Sequence, residues 1–209
     1  MTDSDIKDGP GPSAAPPGEA ARQPYHHGEL RPALIRSARA LLEEEGLEAL
    51  SLRAVARRAG VSRQAPYHHF ADKHALLAAV ATEGFRELAA TSLSRMQQAP
   101  DARARLNASG VAYVVFAAAN PSLFQLMFGG LGGRFNQDEA LNAARKDAFA
   151  VIRAASADVP AVSRGTPDLS AVAAWAFVHG LAELLNKGAI QPRDFGLADA
   201  EALADQLIR

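Results

Sequence analysis

The stretch SLRAVARRAGVSRQAPYHHFADK, residues 51–73, decides the fold of this 209-residue chain. Ser51 is a favourable helix N-cap, and four apolar residues after it recur at the spacing of a buried helix face. Gly60 then allows a tight turn, and Ser62 offers a second N-cap hydroxyl. A second helix is predicted over about 63–69. Two short helices joined by a glycine-containing turn are typical of a helix-turn-helix. The buried face of the first one is Leu52, Val55, Ala56 and Ala59.

A helix is predicted on each side of this motif. Upstream, an apolar stripe at i, i+4, i+7 and i+8 indicates a helix that Gly46 ends. Downstream, Asp72 caps a helix whose apolar face includes Leu76, Val80 and Phe85. Together they predict a compact helical module around the turn. The upstream stripe is Leu34, Ala38, Leu41 and Leu42.

The rest of the chain keeps the helical period and shows no alternating strand pattern. After Pro100 we predict helices to about 119, around 124–128, over 139–155, over 168–187 and over about 197–209. The segment 168–187 is apolar nearly all round, so it must be covered on more than one side. The sequence predicts an all-α fold, with an N-terminal three-helix helix-turn-helix domain and a helical bundle behind it.

Residues 1–24 are rich in proline, glycine and alanine and carry no apolar periodicity, which predicts a disordered tail. The predicted domains are therefore the tail at 1–24, a helix-turn-helix domain at 25–75 and a C-terminal helical domain at 76–209. The N-terminus is polar and lacks the apolar core of a signal peptide. No apolar run approaches the roughly 20 residues that span a bilayer. We therefore expect a soluble cytoplasmic protein with no membrane partner.

The charge of the chain is unevenly spread. The formal net charge is -1, yet residues 51–75 hold five cations against a single carboxylate. A local basic stretch on an otherwise acidic chain favours an anionic partner. Cysteine is absent, which excludes disulfides and thiolate metal sites.

The second helix of the motif suits the DNA major groove, because it carries few bulky apolar residues on its outer face. Arg63 can pair bidentately with guanine and Gln64 with adenine, so both are candidates for base readout. Ser62, Tyr67 and His68 carry groups that suit phosphate contacts. Arg63 and Lys73 lie near helix N-termini, where the helix dipole disfavours cations, and an anionic partner explains them better.

Two other classes of protein compete with a DNA-binding regulator. An αα-hairpin with scattered arginines is often just a solvated surface, as in a structural adaptor. A small helical enzyme is the second rival, but neither paired carboxylates nor a Ser/His/Asp pattern stands out. We therefore predict no enzymatic activity. DNA binding with a steep salt dependence would separate the regulator from both.

Residues 51–56, 59–62 and 67–73 resemble the signature of the TetR/AcrR family of regulators. The string YHHGEL at 25–30 and WAFVHG at 175–180 look like the subgroup with a WHG-type C-terminal domain. The resemblance implies a homodimer whose C-terminal helices pair, with a ligand cavity between that interface and the DNA-binding domain.

Carried over by position, the resemblance assigns roles within the motif. Ser51 and Tyr67 match phosphate-contacting places, and Lys73 matches a phosphate-binding lysine. Pro66 departs from the broader family, and its missing N–H should tighten or bend the first turn of the recognition helix. The predicted DNA-binding residues are Ser51, Arg53, Ser62, Arg63, Gln64, Ala65, Tyr67, His68 and Lys73.

Aromatic and apolar residues of the second domain are candidates for a ligand pocket, since such sites are mostly apolar with a few polar groups. His179 and Glu183 stand at i, i+4, which suits a metal or a hydrogen-bonded pair, and we favour a structural or pocket histidine. No metal or cofactor is predicted. Residues 129–133 lack the following lysine of a phosphate loop and indicate a mobile loop. The predicted ligand-binding residues are Tyr113, Phe116, Phe124, Met127, Phe128, Trp175 and His179.

These patterns converge on a sequence-specific DNA-binding transcriptional regulator. Its partners are predicted to be double-stranded operator DNA, a second copy of the chain and an unidentified small effector. We expect a repressor that a small, mostly apolar ligand releases from its operator. The alternatives are an activator or a metal-responsive regulator of the same fold and, with less support, a small helical enzyme.

Overall fold

The computed structural model describes residues 29–129, 137–157, 159 and 166–209. Every regular element in this part of the chain is helical, which confirms the all-α fold. Three sequence-based interpretations fall outside the described residues: the tail at 1–24, the first four residues of the string at 25–30, and positions 130–133 of the glycine loop.

The N-terminal module is formed by α1 (Leu30–Glu45), α2 (Leu52–Arg58), a 3₁₀ helix (Ala65–His68) and the start of α3 (Lys73–Met96). The predicted caps are present: the Ser51 hydroxyl accepts from Ala54 N at 3.1 Å, and the Asp72 carboxylate accepts from Ala75 N at 2.9 Å. The predicted apolar stripe of α1 is fully buried. Gly46, at φ 81°, ends α1 in a conformation that other residues rarely adopt.

The predicted second helix of the motif is wrong in type and extent. In place of an α-helix over 63–69 the chain forms a 3₁₀ helix from Ala65 to His68. Pro66 has no N–H to donate to the Ser62 carbonyl, so the i→i+4 pattern cannot start there. Ala65 N donates to that carbonyl instead, at 3.1 Å, and no side-chain hydroxyl caps the 3₁₀ helix.

The second unit contains α4 (Ala102–Ala119), α5 (Pro121–Phe128), α6 (Glu139–Ala157), α7 (Pro167–Asn186) and α8 (Ala200–Ile208). A 3₁₀ helix (Pro192–Phe195) precedes α8, so the last helix begins three residues later than predicted. The long helix α3 packs against α4, α5 and α6. One hydrophobic cluster, from Leu34 in α1 to Ala204 in α8, joins both units through α3.

Helix α7 departs from two expectations. It was predicted to be covered on more than one side, but within one chain only part of it is: Val178, Leu181 and Ala182 are buried in the main core, and Trp175 and Leu185 pack against that core while only partly buried. The segment Asp168–Asn186 also has the length and mean hydropathy, 1.3, of a bilayer-crossing helix, contrary to the expectation that no run approaches that size. Core helices of water-soluble proteins meet the same criterion. Its outer face is exposed and apolar, and it includes Leu169, Val172, Phe177 and Leu184.

Helices α3 and α5 cross at close range where Gly84 lies. A Cβ atom at this position would stand 2.7 Å from the Met127 sulfur and 3.1 Å from a Leu123 methyl carbon. The glycine therefore lets α5 lie directly on α3. Because α3 begins in the helix-turn-helix unit, α5 packs on a helix that extends from one unit into the other.

Candidate functional site

Most of the predicted DNA-binding residues are exposed on the helix-turn-helix, and we call this exposed side the polar surface. Ser51, Arg53, Ser62, Arg63 and Gln64 are exposed. Tyr67 and His68 are also exposed, whereas Ala65 and Lys73 are half-buried. The motif buries Val55 and Pro66 beneath this surface. Its outer side therefore presents hydroxyl, amide and guanidinium donors, the groups that contact phosphates and base edges.

Two cations near this surface already have partners within the protein. The Arg58 guanidinium forms a bidentate pair with Glu44, with both N–O distances at 2.6 Å. This pairing lowers the pKa of Glu44. The Lys73 ammonium donates to the Leu47 carbonyl at 2.9 Å. The hydrogen bond to Leu47 is therefore one reason for a lysine at this helix N-terminus, in addition to the expected anionic partner. The ammonium group retains two further N–H donors for a phosphate.

A cavity of about 420 Å³ lies in the second unit, between α3, α4, α5, α6 and α7. Its size is that of a site for a small organic ligand. The wall is mostly apolar, with polar groups at a few points. The lining residues are Phe85, Leu88, Ser92, Ser109, Tyr113, Met127, Phe128, Arg145, Ala148, Phe149, Val151, Ile152 and Trp175.

Four of the seven predicted ligand residues line the cavity, and the other three lie outside its lining. Tyr113, Met127, Phe128 and Trp175 line the cavity. Phe124, Phe116 and His179 do not line it. The Phe124 ring packs edge-on against Tyr113 at 5.6 Å between centroids, and Phe116 is buried in the core.

The contributions of α3 and α6 to the wall were missed, although a signal for them was present. On α6, buried Leu141 and Ala144 are followed by Arg145, Ala148 and Ile152, which continue the same apolar face at helical spacing. Arg145 looked like an ordinary surface cation in the sequence. Its position on the apolar side of an amphipathic helix is what distinguishes it.

A hydrogen-bonded aromatic cluster closes one side of the cavity. The Trp175 indole N–H donates to the Tyr113 oxygen at 3.2 Å, and the Tyr113 oxygen lies 2.8 Å from Nδ1 of His179. With its oxygen accepting from Trp175, Tyr113 is placed to donate its proton to an unprotonated Nδ1. Burial raises the pKa of Tyr113 and lowers that of His179. Both shifts favour the neutral pair.

The neutral state of His179 predicts a pH dependence of stability. The unfolded chain binds a proton at His179 below about pH 6.5, whereas the folded chain resists it, so the free energy of unfolding should fall as the pH drops from 7 to 5. His179→Asn keeps an acceptor near the Nδ1 position but does not titrate. We expect its loss of stability over this range to be smaller than that of the wild type, in denaturant titrations at matched pH. Parallel curves would contradict a neutral His179.

Comparison with known families covers most of the chain. The family described as "Bacterial regulatory proteins, tetR family" matches residues 34–80, and the family described as "Tetracyclin repressor-like, C-terminal domain" matches residues 106–209. The chain belongs to the TetR family. The two matches fall on the helix-turn-helix unit and on the bundle that holds the cavity. The resemblance to the TetR/AcrR family is therefore confirmed. No curated protein matches the sequence.

Solved structures of TetR-like fold resemble this TetR-family chain along most of its length. A protein of unknown function from Rhodococcus sp. RHA1 shares 34% identity, with a TM-score of 0.76 over 90% of this chain and 95% of its own. The regulator FadR from Bacillus subtilis, in complex with stearoyl-CoA, shares 14% identity, with a TM-score of 0.66 over 84% and 94%. AibR, in complex with isovaleryl coenzyme A and operator DNA, shares 21% identity, with a TM-score of 0.63 over 86% and 96%.

Helix α1 of this TetR-family chain holds the first turn of α5. Backbone N–H groups of Ser122 and Leu123 donate to the Glu43 carboxylate at 3.3 and 2.8 Å. Asn120 provides no side-chain cap there, so a carboxylate from the DNA-binding unit satisfies the start of the helix. Glu43 had no partner that the sequence could identify.

A second contact reinforces this link between the units. Arg39 of α1 donates to the Asn120 side-chain oxygen at 2.7 Å and forms an ion pair with Glu87 of α3. At the other end of α5, Met127 and Phe128 line the cavity. One short helix therefore contacts the DNA-binding unit at its start and the cavity at its end.

Proposed function

We propose that this TetR-family chain is a homodimeric cytoplasmic repressor that a small, mostly apolar effector releases from its operator DNA. In this proposal residues 25–75 bind DNA, and residues 76–209 bind the effector and form the dimer. The observation that carries it is the position of α5, with its first turn held by Glu43 of α1 and Met127 and Phe128 on the cavity wall. A ligand that displaces Met127 and Phe128 would move α5 and change its contacts with α1 of the DNA-binding unit.

DNA recognition is assigned to two groups of side chains on the polar surface. Arg63 and Gln64, both exposed on the turn before the 3₁₀ helix, are proposed to read base edges. The residues proposed to contact phosphates are Ser51, Arg53, Ser62, Tyr67, His68 and Lys73. Ala65 is proposed to approach the DNA closely, since its small side chain leaves room for the groove.

Two substitutions separate phosphate contacts from base contacts. Lys73→Ala should weaken binding to all duplexes alike, by about tenfold, and lower the slope of log affinity against log salt by about one. Gln64→Ala should instead change the preferred base at one position of the operator. Selection of bound duplexes from a random pool, followed by salt titrations, measures both effects.

Lys146→Ala is the matched control, because Lys146 is an exposed lysine on α6, outside the helix-turn-helix. We expect it to bind like the wild type. Thermal melting of Lys73→Ala checks that losing the Leu47 hydrogen bond has not unfolded the domain. Sequence-blind losses of equal size from Lys73→Ala and Gln64→Ala would contradict the two roles.

The homodimer is proposed from the exposed face of α7. Five exposed small or apolar residues recur on this face at helical spacing: Leu169, Ala173, Ala176, Gly180 and Leu184. An added Cβ at Gly180 would have open space for 4 Å around it. A continuous apolar stripe with small residues at its centre suits close packing against the same stripe of a second copy. Two copies would carry two DNA-binding surfaces to successive major grooves, about 34–36 Å apart.

The proposed linkage follows from differential binding. An effector lowers operator affinity only if it binds the conformation that does not bind DNA more tightly. Structurally similar regulators have been solved with stearoyl-CoA and with isovaleryl coenzyme A, which supports an effector with an apolar acyl-like part. The test is a titration of operator affinity against candidate effectors. Affinity that stays constant while an effector fills the cavity would contradict the linkage.

A further inference from the structure

Some of the polar groups that line the cavity have close hydrogen-bond partners within the protein, and others have none among the described residues. Tyr113 and Trp175 hydrogen-bond to each other, and Tyr113 also contacts His179, so this cluster needs no ligand. Arg145, Ser92 and Ser109 remain. These three side chains indicate what a ligand must supply.

Arg145 offers a positive charge to the cavity. Its guanidinium carbon lies 5.7 Å from the centroid of the Phe85 ring, and its one recorded hydrogen bond, to the Asn142 side-chain oxygen, is long at 3.5 Å. Within the described ranges, no carboxylate lies within 4 Å of this guanidinium. A half-buried cation beside an aromatic ring, without an anionic partner in that part of the chain, favours binding of an anion from outside.

We treat Ser92 and Ser109 together as a second polar point, since both line the cavity. Ser92 on α3 is 5% exposed and Ser109 on α4 is 4% exposed, yet both line the cavity. Neither hydroxyl hydrogen-bonds to another residue of the described part of the chain. Because both residues line the cavity, a ligand there can hydrogen-bond to these two hydroxyls.

The two polar points lie at a measurable spacing along α3. Arg145 lies over Phe85, and Ser92 follows Phe85 by seven residues on the same helix. At 1.5 Å per residue, Ser92 lies about 10 Å from Phe85 along the axis of α3. The cavity wall also includes the apolar side chains of Leu88, Phe128 and Trp175. An extended chain of about eight bonds covers this distance, at roughly 1.2 Å per bond.

We propose that the cavity binds an apolar acid of about eight carbons in length, with its carboxylate on Arg145 and a second oxygen-bearing group at Ser92 and Ser109. The inference rests on the proposed effector pocket and names the chemical class of its ligand. The carboxylate receives charge-assisted hydrogen bonds at one end, and the two hydroxyls pair with a hydroxyl or carbonyl at the other. The apolar body fills the wall between them.

Four probe molecules separate the contributions of the two ends. The probes are 8-hydroxyoctanoate, octanoate, 1,8-octanediol and octanoyl-CoA, which has a thioester in place of the free carboxylate. Trp175 is the only tryptophan of the chain and lines the cavity, so its fluorescence reports binding directly. Calorimetry supplies an independent dissociation constant.

For the wild type we expect 8-hydroxyoctanoate to bind at least about tenfold more tightly than the diol, because only the acid pairs with Arg145. It should also bind about threefold to tenfold more tightly than octanoate, which leaves the serine hydroxyls unpaired. Arg145→Gln should abolish the first preference and keep the second. The double variant Ser92→Ala, Ser109→Ala should do the reverse.

Lys146→Gln removes a positive charge from the next residue of α6, which is exposed, and should change neither preference. Thermal melting of each variant excludes loss of folding as the cause. Equal binding of acid and diol by the wild type would overturn the proposal, and so would an acid preference that survives Arg145→Gln. Tighter binding of octanoyl-CoA that is independent of Arg145 would assign the cavity to thioesters instead.

Operator binding is measured in parallel on the same samples. If the wild type binds its operator but none of the four probes at millimolar concentration, the inference fails and the proposed DNA-binding function stands. If the wild type does not bind any selected duplex, the proposed function fails whatever the probes do. The two failures are therefore distinguishable.

Discussion

The double variant Phe177→Glu, Leu184→Glu should be a monomer that binds operator at least about 100-fold more weakly than the wild type. Both side chains are about half exposed on the outer face of α7, so the fold of a single chain does not depend on them. Four carboxylates at the proposed two-fold interface would repel one another and would each lose hydration. Light scattering should then give the chain mass of 22.0 kDa in place of twice that value.

The loss of operator affinity follows from the loss of the second half-site. In a dimer the second DNA contact is intramolecular, and this effective concentration strengthens binding by about 10² to 10⁴. Leu93→Glu is the matched control, because Leu93 is 48% exposed on α3, outside the α7 face. It should leave mass and affinity unchanged. A double variant that stays dimeric, or a monomer with wild-type affinity, would contradict the assignment of the interface.

Local features of the fold could be predicted because they depend on neighbours in sequence. The side chains of Ser51 and Asp72 each accept a hydrogen bond from the backbone N–H three residues ahead. The buried stripe of α1 lies between Leu34 and Leu42. The recognition segment was placed correctly but mistaken for an α-helix. The sequence predicted that Pro66 would tighten or bend the first turn of this helix, whereas residues 65–68 form a 3₁₀ helix.

The cavity was only partly predictable, since its wall depends on which helix faces meet. Aromatic residues such as Trp175 and Phe128 were identified because large apolar side chains are common in ligand sites. Arg145, Ser92 and Ser109 were not, because a polar residue on a helix normally faces solvent. Each of these three polar residues lies on the apolar side of its own helix. A polar residue at a position where the helical period predicts an apolar one is the sequence signal for such a wall residue.

Contacts between distant parts of the chain had no local signal. Glu43 receives hydrogen bonds from Ser122 and Leu123, which are 79 and 80 residues away in sequence. In the sequence, the acidic run at 43–45 only conflicts with the dipole of α1. The structure resolves the conflict, because Glu43 caps α5 and Glu44 pairs with Arg58.

Leu123→Ala should lower the free energy of unfolding by about 2–5 kcal/mol. Leu123 is fully buried, and its methyl carbons lie over Gly84 where α5 crosses α3. Truncation removes buried apolar surface and leaves a cavity at the α3–α5 contact, which neighbouring helices fill only in part. Against a typical total of 5–15 kcal/mol this is a large share of the stability of the fold.

Leu93→Ala makes the same chemical change at an exposed position of α3 and should cost no more than about 0.5 kcal/mol. Denaturant titrations at one fixed chain concentration compare the three proteins, since the stability of a dimer depends on concentration. Because Glu43 caps the turn that holds Leu123, a loosened α5 should also weaken the dependence of operator affinity on effector. Equal stability losses in Leu123→Ala and Leu93→Ala would contradict the role of the α3–α5 crossing in the stability of the fold.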